Sequence, residues 1–464
     1  MYSRVIATTS LVILSFAPKG ISQVSPTPPE VVFELSPQTF SATEVYEAGL
    51  ADFDGDGDLD AVIPDFTSTG ARIWFNDGHG TFANSGQLLY MLKSHGVGLA
   101  NFDRDGDIDI FMTCADETAR SKVFLNNGSG VFTESGQVID DFASSGNNVY
   151  VFDIDGDGDI DALIDYYQEP NKVYENDGNG VFLDSGQVYP ENASFSDLDR
   201  DGDTDILECD AVGSGYRTWI NDGHGEFTEH AFLADPSLVN GSVGFGDLDG
   251  DSDIDAVVTN GNWDVSYPTK MLLNDGTGVF TASATLLTDT HWGEVCIGDL
   301  NNDGHNDIVL TSYQKLYQLY VSNGDGSYIW SEFGNSVSTL CRVPLLGDVN
   351  NDGLLDFFAP VFLFGSTQLW LNRTQLSCCL GRVGDANGLG TYPQEVTIGD
   401  VQTMVTAKFI TGNCAALPCL AEGDANQTGG ANPACNDITI GDIQTLVNHL
   451  FIAGPANAPL KECL

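Results

Sequence analysis

A nine-residue acidic loop recurs seven times in this 464-residue chain, and any fold it adopts must place all seven copies. The first copy is Asp52-Phe53-Asp54-Gly55-Asp56-Gly57-Asp58-Leu59-Asp60. The others begin at Asn101, Asp153, Asp197, Asp247, Asp299 and Asp348. Positions 1 and 3 are Asp or Asn, and positions 5 and 9 are always Asp. Carboxylates converging at that spacing repel one another unless a cation sits between them. A hard cation with six to eight oxygen ligands suits the set, and calcium fits best. Position 6 is Gly in six copies and Ser252 in the fifth, as a turn with positive φ demands. An apolar triplet such as Ala61-Val62-Ile63 follows the loop. That pattern predicts a strand, whereas an EF-hand loop leads into an amphipathic helix.

The candidate metal ligands follow from loop position. They are Asp52, Asp54, Asp56, Asp58 and Asp60 in the first loop, and Asn101, Asp103, Asp105, Asp107 and Asp109 in the second. The third offers Asp153, Asp155, Asp157, Asp159 and Asp161, and the fourth Asp197, Asp199, Asp201, Asp203 and Asp205. The fifth offers Asp247, Asp249, Asp251, Asp253 and Asp255, and the sixth Asp299, Asn301, Asp303, His305 and Asp307. The seventh offers Asp348, Asn350, Asp352, Leu354 and Asp356. Position 7 tolerates His305 and Leu354, so it is expected to contribute its backbone carbonyl. Position 9 reads as an obligatory carboxylate ligand. Asn101, Asn301 and Asn350 each replace one carboxylate, and those loops should bind an ion more weakly. Ser252 should cost roughly 1 kcal/mol in a left-handed conformation.

The chain carries 67 acidic against 17 basic residues, a net charge of −50. That balance argues against nucleic acid and anionic membrane as partners, which call for basic patches. Residues 1–23 read as a secretory signal peptide, with Arg4 ahead of an apolar core from Val5 to Ala17. Residues 24–30, with Pro26 to Pro29, read as a short extended linker. No other stretch is long and apolar enough for a transmembrane helix. The expected location is therefore secreted or on the cell surface, where calcium is abundant and disulfides persist.

Loop starts are separated by 49, 52, 44, 50, 52 and 49 residues, the length of one propeller blade. A second motif follows each loop after a strand. It reads Asn76-Asp-Gly-His-Gly-Thr-Phe82 in the first unit and recurs at Asn126, Asn176, Asn221 and Asn274, more weakly at Ser322. Such turns between apolar runs predict a hairpin whose Phe returns to the blade core. The seventh unit stops near Asn372 without that Phe. Phe33 lies 19 residues before Asp52, as Phe82 lies 19 before Asn101 and Phe280 lies 19 before Asp299. The strand of Phe33 is therefore predicted to complete the seventh blade and close the ring.

These units resemble FG-GAP/VCBS repeats, the calcium-loop blades of integrin α-subunits and of many secreted bacterial proteins. The resemblance covers residues 31–374. It implies a mainly β fold, a seven-bladed β-propeller, with one calcium held by the acidic loop of each blade.

From residue 378 a different duplication begins. Asp385-Ala-Asn387 precedes Asp400, and Asp424-Ala-Asn426 precedes Asp442; a helical pattern follows each second Asp. The plain reading is a two-helix cap. The segment resembles a type I dockerin, so that residues 378–464 would form a small α-helical dockerin-like module. By that resemblance Asp385, Asn387 and Asp400, and Asp424, Asn426 and Asp442, are calcium ligands. The implied partner is a cohesin or another surface scaffold. The loops run longer than the dockerin pattern, and Leu389 and Thr428 stand where it has an acid. Six of the ten cysteines lie in this tail, in keeping with disulfides of a small exported module. Cys114, Cys209, Cys296 and Cys341 read as buried apolar residues of separate blades.

The sequence shows no nucleophile elbow, zinc motif or phosphate loop. The first functional reading is a non-catalytic calcium propeller that binds a protein or glycan ligand and is tethered through its tail. Variable loops such as Gly261-Asn-Trp263 and Asp289-Thr-His291-Trp292 suit recognition, although those tryptophans suit blade packing equally. The alternative is an extracellular polysaccharide-degrading lyase or hydrolase. It would need an Arg/Lys/His cluster in the central channel to engage uronate carboxylates.

Overall fold

The computed structural model describes residues 31–374, apart from 43, 68–69, 117–119, 140–145, 167–169, 191, 211–214, 236–241, 261–266, 291–292, 314–315, 325, 335–339 and 364–365. The signal-peptide and linker assignments lie outside the described residues. So do the dockerin-like module with its six proposed ligands and six cysteines, and Trp263, His291 and Trp292.

Among the described residues the chain forms seven four-stranded antiparallel sheets, one two-stranded sheet and no helix. None of the described residues forms a helix able to cross a membrane. Blades 1 to 6 take their four strands in chain order from the channel outward. Blade 1 is Gly49–Ala51, Asp60–Asp65, Gly70–Asn76 and Phe82–Tyr90. The acidic loop joins the first strand to the second, and position 9 is the first residue of that second strand in every blade. The second strand is sandwiched between blades, so it carries unbroken apolar runs; Asp60–Asp65 is buried at all six positions.

Blade 7 confirms the predicted closure. Its strands Leu345–Gly347, Asp356–Ala359 and Gln368–Asn372 are completed by Phe33–Leu35, with Phe33 opposite Asn372 and Leu35 opposite Trp370. Phe33 stacks on Phe333 of blade 6 with ring centroids 4.5 Å apart. The hairpin aromatics behave as expected in most blades: Phe82, Phe132, Phe182 and Phe280 are buried, whereas Phe227 is half-buried.

Two devices join neighbouring blades. Glycines on the innermost strands receive the next blade's side chains: a Cβ at Gly49 would lie 2.6 Å from Leu99, and one at Gly98 would lie 2.6 Å from Val151. The outermost strand contributes a glutamine five residues after the hairpin Phe. The carboxamide of Gln87 donates to Gly130 O (3.2 Å) and accepts from Phe132 N (3.0 Å), copying one rung of a β-ladder across the blade boundary. Gln38 does the same to Phe82, and Gln137 to Gly180 and Phe182. Where the series fails, Tyr189 places its hydroxyl 3.1 Å from Gly225 O.

Cys114, Cys209 and Cys341 are buried and unbridged, and Cys296 is half-buried. Burial pushes the Cys209 thiol up to about 12, so these cysteines serve as packing groups.

Because Phe33 stacks on Phe333 where the closing strand meets blade 6, Phe33→Ala should lower stability by about 2 kcal/mol. An unchanged urea midpoint would show that the ring does not depend on this closure.

Candidate functional site

The loop is shaped by backbone first. Position 6 has positive φ in all seven copies, from 74° at Ser252 to 105° at Gly106. Position 4 does too, at Gly55, Arg104, Gly156, Arg200, Gly250, Asn302 and Asn351. Two left-handed residues two apart curl the chain, and its N–H groups turn onto the position-1 carboxylate. Asp52 accepts from Gly55 N (2.8 Å), Asp56 N (3.2 Å) and Gly57 N (2.9 Å). Asp153, Asp247, Asp299 and Asp348 repeat the arrangement.

Position 9 has a structural duty of its own. Asp60 Oδ2 accepts from Phe53 N (3.0 Å), and Oδ1 accepts from the hairpin's Asn76 N (2.8 Å). The same pair of bonds holds Asp109, Asp161, Asp205, Asp255, Asp307 and Asp356. Its constancy therefore has a cause independent of any ion, and each oxygen keeps a lone pair for one.

Four loops bring three carboxylates to one centre, with ligand oxygens within 4.8 Å of each other. These are Asp52, Asp54 and Asp56; Asp153, Asp155 and Asp161; Asp197, Asp199 and Asp205; and Asp247, Asp249 and Asp251. The three other loops carry Asn101, Asn301 and Asn350 and so offer fewer acids. Asp54 Oδ1 and Asn101 Oδ1 are buried acceptors without a hydrogen-bond donor. Burial raises the carboxyl groups of Asp60, Asp109, Asp161, Asp205 and Asp255 to about 6, and those of Asp307 and Asp356 to about 7. A partnerless buried acceptor inside a ring of acids is the environment a hard cation relieves.

Position 7 points its side chain elsewhere. A Cβ at Gly78 of the hairpin turn would lie 2.5 Å from Asp58 Oδ2, and Asp107, Asp159, Asp203 and Asp253 crowd the matching turn glycines. His305 faces Gly324 in the same way, and Leu354 is buried. The side chains of position 7 are thus set against the turn, which leaves the carbonyl as the group available to the loop centre.

Position 4 links neighbouring loops through side chains at four of the seven blade boundaries. Arg104 pairs with Asp159 and Arg200 with Asp253, each reaching position 7 of the next blade. Asn351 Nδ2 donates to Asp58 Oδ1 (2.6 Å) across the closure. Facing the apolar Leu354, Asn302 donates instead to Gly353 O (2.7 Å). Where position 4 is Gly55 or Gly156, the neighbouring turn comes close: a Cβ on Gly156 would lie 2.4 Å from Gly223 O.

The hairpin Asn completes the link. Asn76 Nδ2 donates to Leu59 O in its own loop (3.1 Å) and to Val349 O in the preceding blade's loop (2.7 Å). Asn126, Asn176, Asn221, Asn274 and Asn372 do the same to Phe53, Phe102, Ile154, Leu198 and Leu300. Blade 6 has Ser322 in place of Asn, and there Tyr328 replaces Phe. The Tyr328 hydroxyl donates to Leu248 O (3.0 Å), the carbonyl the missing amide would have taken.

The opposite end of the channel, where the innermost strands begin, opens into a cavity of about 890 Å³. Tyr46 stacks there on His95, with centroids 4.0 Å apart. Glu47 Oε2 accepts from Val97 N (3.0 Å), and burial pushes its carboxyl up to about 8. Burial and the Arg342 charge push His95 down to about 3, so it is neutral. Arg342 lies 3.5 Å from Glu294 and over the Tyr46 ring. The Arg/Lys/His cluster required by the polysaccharide-degrading alternative is therefore not found among the described residues of this cavity. The sequence analysis singled out none of these residues. His79 and His224 are exposed on hairpin turns at the acidic-loop end, as expected.

Two outcomes test this geometry. Tyr328→Phe should cost about 1–2 kcal/mol by stranding Leu248 O. Adding Ser322→Asn should recover most of it; strictly additive urea midpoints would disprove the compensation. The Glu47 carboxyl is raised in the folded state from an ordinary 4.5 to about 8. Its contribution is therefore complete below pH 4.5 and lost as pH rises through 8. Glu47→Gln should accordingly gain melting temperature relative to the parent between pH 5 and pH 9, and a pH-independent difference would contradict the assignment.

Comparison with known proteins follows the geometry. An FG-GAP-like repeat model matches residues 52–112, 101–164, 247–310 and 299–359, each span running from one acidic loop through the next blade's second strand. No curated protein matches the chain. Among solved structures, the BP39L lectin from Burkholderia pseudomallei aligns with TM-score 0.50 at 12% identity, covering 72% of this chain and 98% of its own. A crystal structure of BBS1N in complex with ARL6DN aligns with TM-score 0.50 at 11% identity, covering 75% and 98%. An Agrocybe aegerita lectin specific for non-reducing terminal N-acetylglucosamine aligns with TM-score 0.47 at 20% identity, covering 71% and 86%. The chain carries FG-GAP-like repeats, and they build a seven-bladed β-propeller.

Proposed function

We propose that this protein is an extracellular, calcium-stabilised propeller that binds a glycan or protein ligand and is tethered through its C-terminal tail. The observation that carries the calcium part is the convergence of three carboxylates in each of four loops, with Asp54 Oδ1 buried and without a donor. In each loop, positions 1, 3, 5 and 9 would supply side-chain oxygens and position 7 its carbonyl. A calcium ion there would offset the burial and the mutual repulsion that raise the position-9 carboxyls. Its role is structural. The loops of successive blades are tied by Arg104–Asp159, Arg200–Asp253 and Asn351–Asp58, so an ion that sets one loop also sets its neighbours' contacts.

A binding role, with no chemistry of its own, fits the channel mouth. The cation nearest the cavity is engaged by Glu294, and His95 is neutral. A propeller of the same fold, the BP39L protein, is a lectin. Secretion through residues 1–23 would bring the loops into millimolar calcium. The tail's dockerin-like loops would hold further calcium and dock on a cohesin or another surface scaffold.

A site with a Kd of about 10⁻⁴ M in about 10⁻³ M calcium stabilises by about 1.4 kcal/mol. Elemental analysis of the purified full chain should find several calcium ions per molecule, and EDTA should lower the melting temperature cooperatively. Asp54→Ala should remove one ion, whereas loops bearing Asn101, Asn301 or Asn350 should release theirs first on dilution. A metal-free protein whose melting is indifferent to EDTA would refute the calcium assignment.

A further inference from the structure

The ligand reading above does not say where the ligand sits, and the two ends of the channel differ in chemistry. The acidic-loop end presents repeated carboxylates and turn residues. The other end presents a cavity of about 890 Å³ to which every blade contributes a different side chain. We propose that this cavity is the ligand site and that it takes an uncharged saccharide. The inference rests on the ligand-binding reading and narrows it to a place and a chemical class.

Size comes first. Pockets that enclose small ligands span roughly 300–1,000 Å³, and this one lies in the upper part of that range. Aromatic rings line it. Tyr46 is packed between His95 and Phe362 beneath Arg342 and forms a fixed wall, whereas the half-buried ring of Phe195 packs against Tyr150 with centroids 4.8 Å apart. A ring such as that of Phe195 can cover the C–H face of a sugar without asking for charge. Between them stand short amide and hydroxyl groups: Asn147, Asn148 and Asn192, with Ser194 and Ser242. A purely apolar ligand would strand those groups, whereas ring hydroxyls satisfy them.

The charges decide against an ionic ligand. Arg342 faces the cavity but is paired with Glu294 at 3.5 Å and lies over the Tyr46 ring. An anionic sugar would have to compete with Glu294 for it, beside Asp165 on blade 3. A cationic ligand fares no better. Glu47 is held protonated by burial, Glu294 already has its partner, and Asp165 has an interaction of its own. The site is charged in composition and close to neutral in what it offers. A second cavity, of about 480 Å³, continues down the channel between Leu50, Leu99, Val151 and Leu346. Its walls are mainly aliphatic, with Glu47, Ser196 and Thr204 the polar exceptions, so the greater supply of amides and hydroxyls lies at the mouth.

The test uses the full-length protein in calcium buffer against an array of neutral, uronate-containing and sulfated oligosaccharides, with isothermal titration of the hits. Wild type should bind neutral oligosaccharides and discriminate against charged ones. Ser194→Trp, which fills the mouth from blade 4, should abolish binding. Asn148→Ala, which removes one amide, should weaken it about tenfold. His79→Ala, on the acidic-loop end, should leave affinity unchanged. A folded Asn148→Ala and a folded Ser194→Trp that both bind like wild type would overturn the site while leaving glycan binding intact. Preference for uronates would overturn the charge argument. Absence of any glycan binding by wild type would remove the reading on which the site rests, and capture of a peptide ligand by the same mouth would overturn the saccharide class alone.

Discussion

One carboxamide per blade decides whether seven sheets make a ring. The hairpin Asn receives the position-9 carboxylate on its backbone N–H and spends its two side-chain hydrogens on two loops, its own and its predecessor's. Moving either loop breaks one of these bonds, and the bond to the predecessor's loop is buried. The constraint is on the bond, since in blade 6 the phenol of Tyr328 reaches the same predecessor carbonyl from the next strand. Closing the circle through Asn76 and Val349 O joins residues 273 positions apart by the same contact that elsewhere joins neighbours.

That bridge explains why the acidic loops can be so acidic. Each packs several carboxylates into a curl whose N–H groups point inward, and position 1 absorbs two or three of them. Position 9 is held by two more. Backbone donors thus offset part of the repulsion by themselves, and they fix where the remaining oxygens face. Position 4 then acts between loops. Arg104 and Arg200 answer Asp159 and Asp253, and Asn302 turns to a carbonyl because Leu354 cannot accept. Where the backbone of the next turn comes too near for a side chain, Gly156 takes the place.

The ring was legible in the sequence because it is periodic. The loop interval gave the blade count, and the distance from Phe33 to Asp52, equal to that from Phe82 to Asn101, identified the closing strand. That the side chain of position 7 stands away from the loop centre was also legible, since Leu354 occupies that slot. Two regular signals were there to be read and were missed. Position 4 is either Gly or a polar residue, Arg or Asn, at positive φ, and Gln38, Gln87 and Gln137 each stand five residues after a hairpin Phe. Both act between blades, where spacing along one repeat gives no hint of the partner. The channel mouth gave no signal at all. Tyr46, His95, Asn148, Phe195, Glu294 and Arg342 occupy no common motif, and only closure brings them within reach of one another.

The contrast between the two ends has a physical origin. At the acidic-loop end every blade must meet its neighbour through the same bonds, so a change in one loop is felt in the next. Sequence freedom there shrinks to exchanges that keep a bond, as Ser322 with Tyr328 does. At the other end the innermost strands are only beginning, and the interlock of Gly49 with Leu99 and Gly98 with Val151 lies deeper in the channel. Thr113, Thr259 and Thr311 repeat one bond to the next blade's backbone there, but most side chains that face the cavity follow no repeat. A closed ring of near-identical units thus acquires one asymmetric surface, with a cation, acids, amides and aromatic faces each contributed by a different blade. Among the described residues, that surface brings several unlike groups within reach of one another.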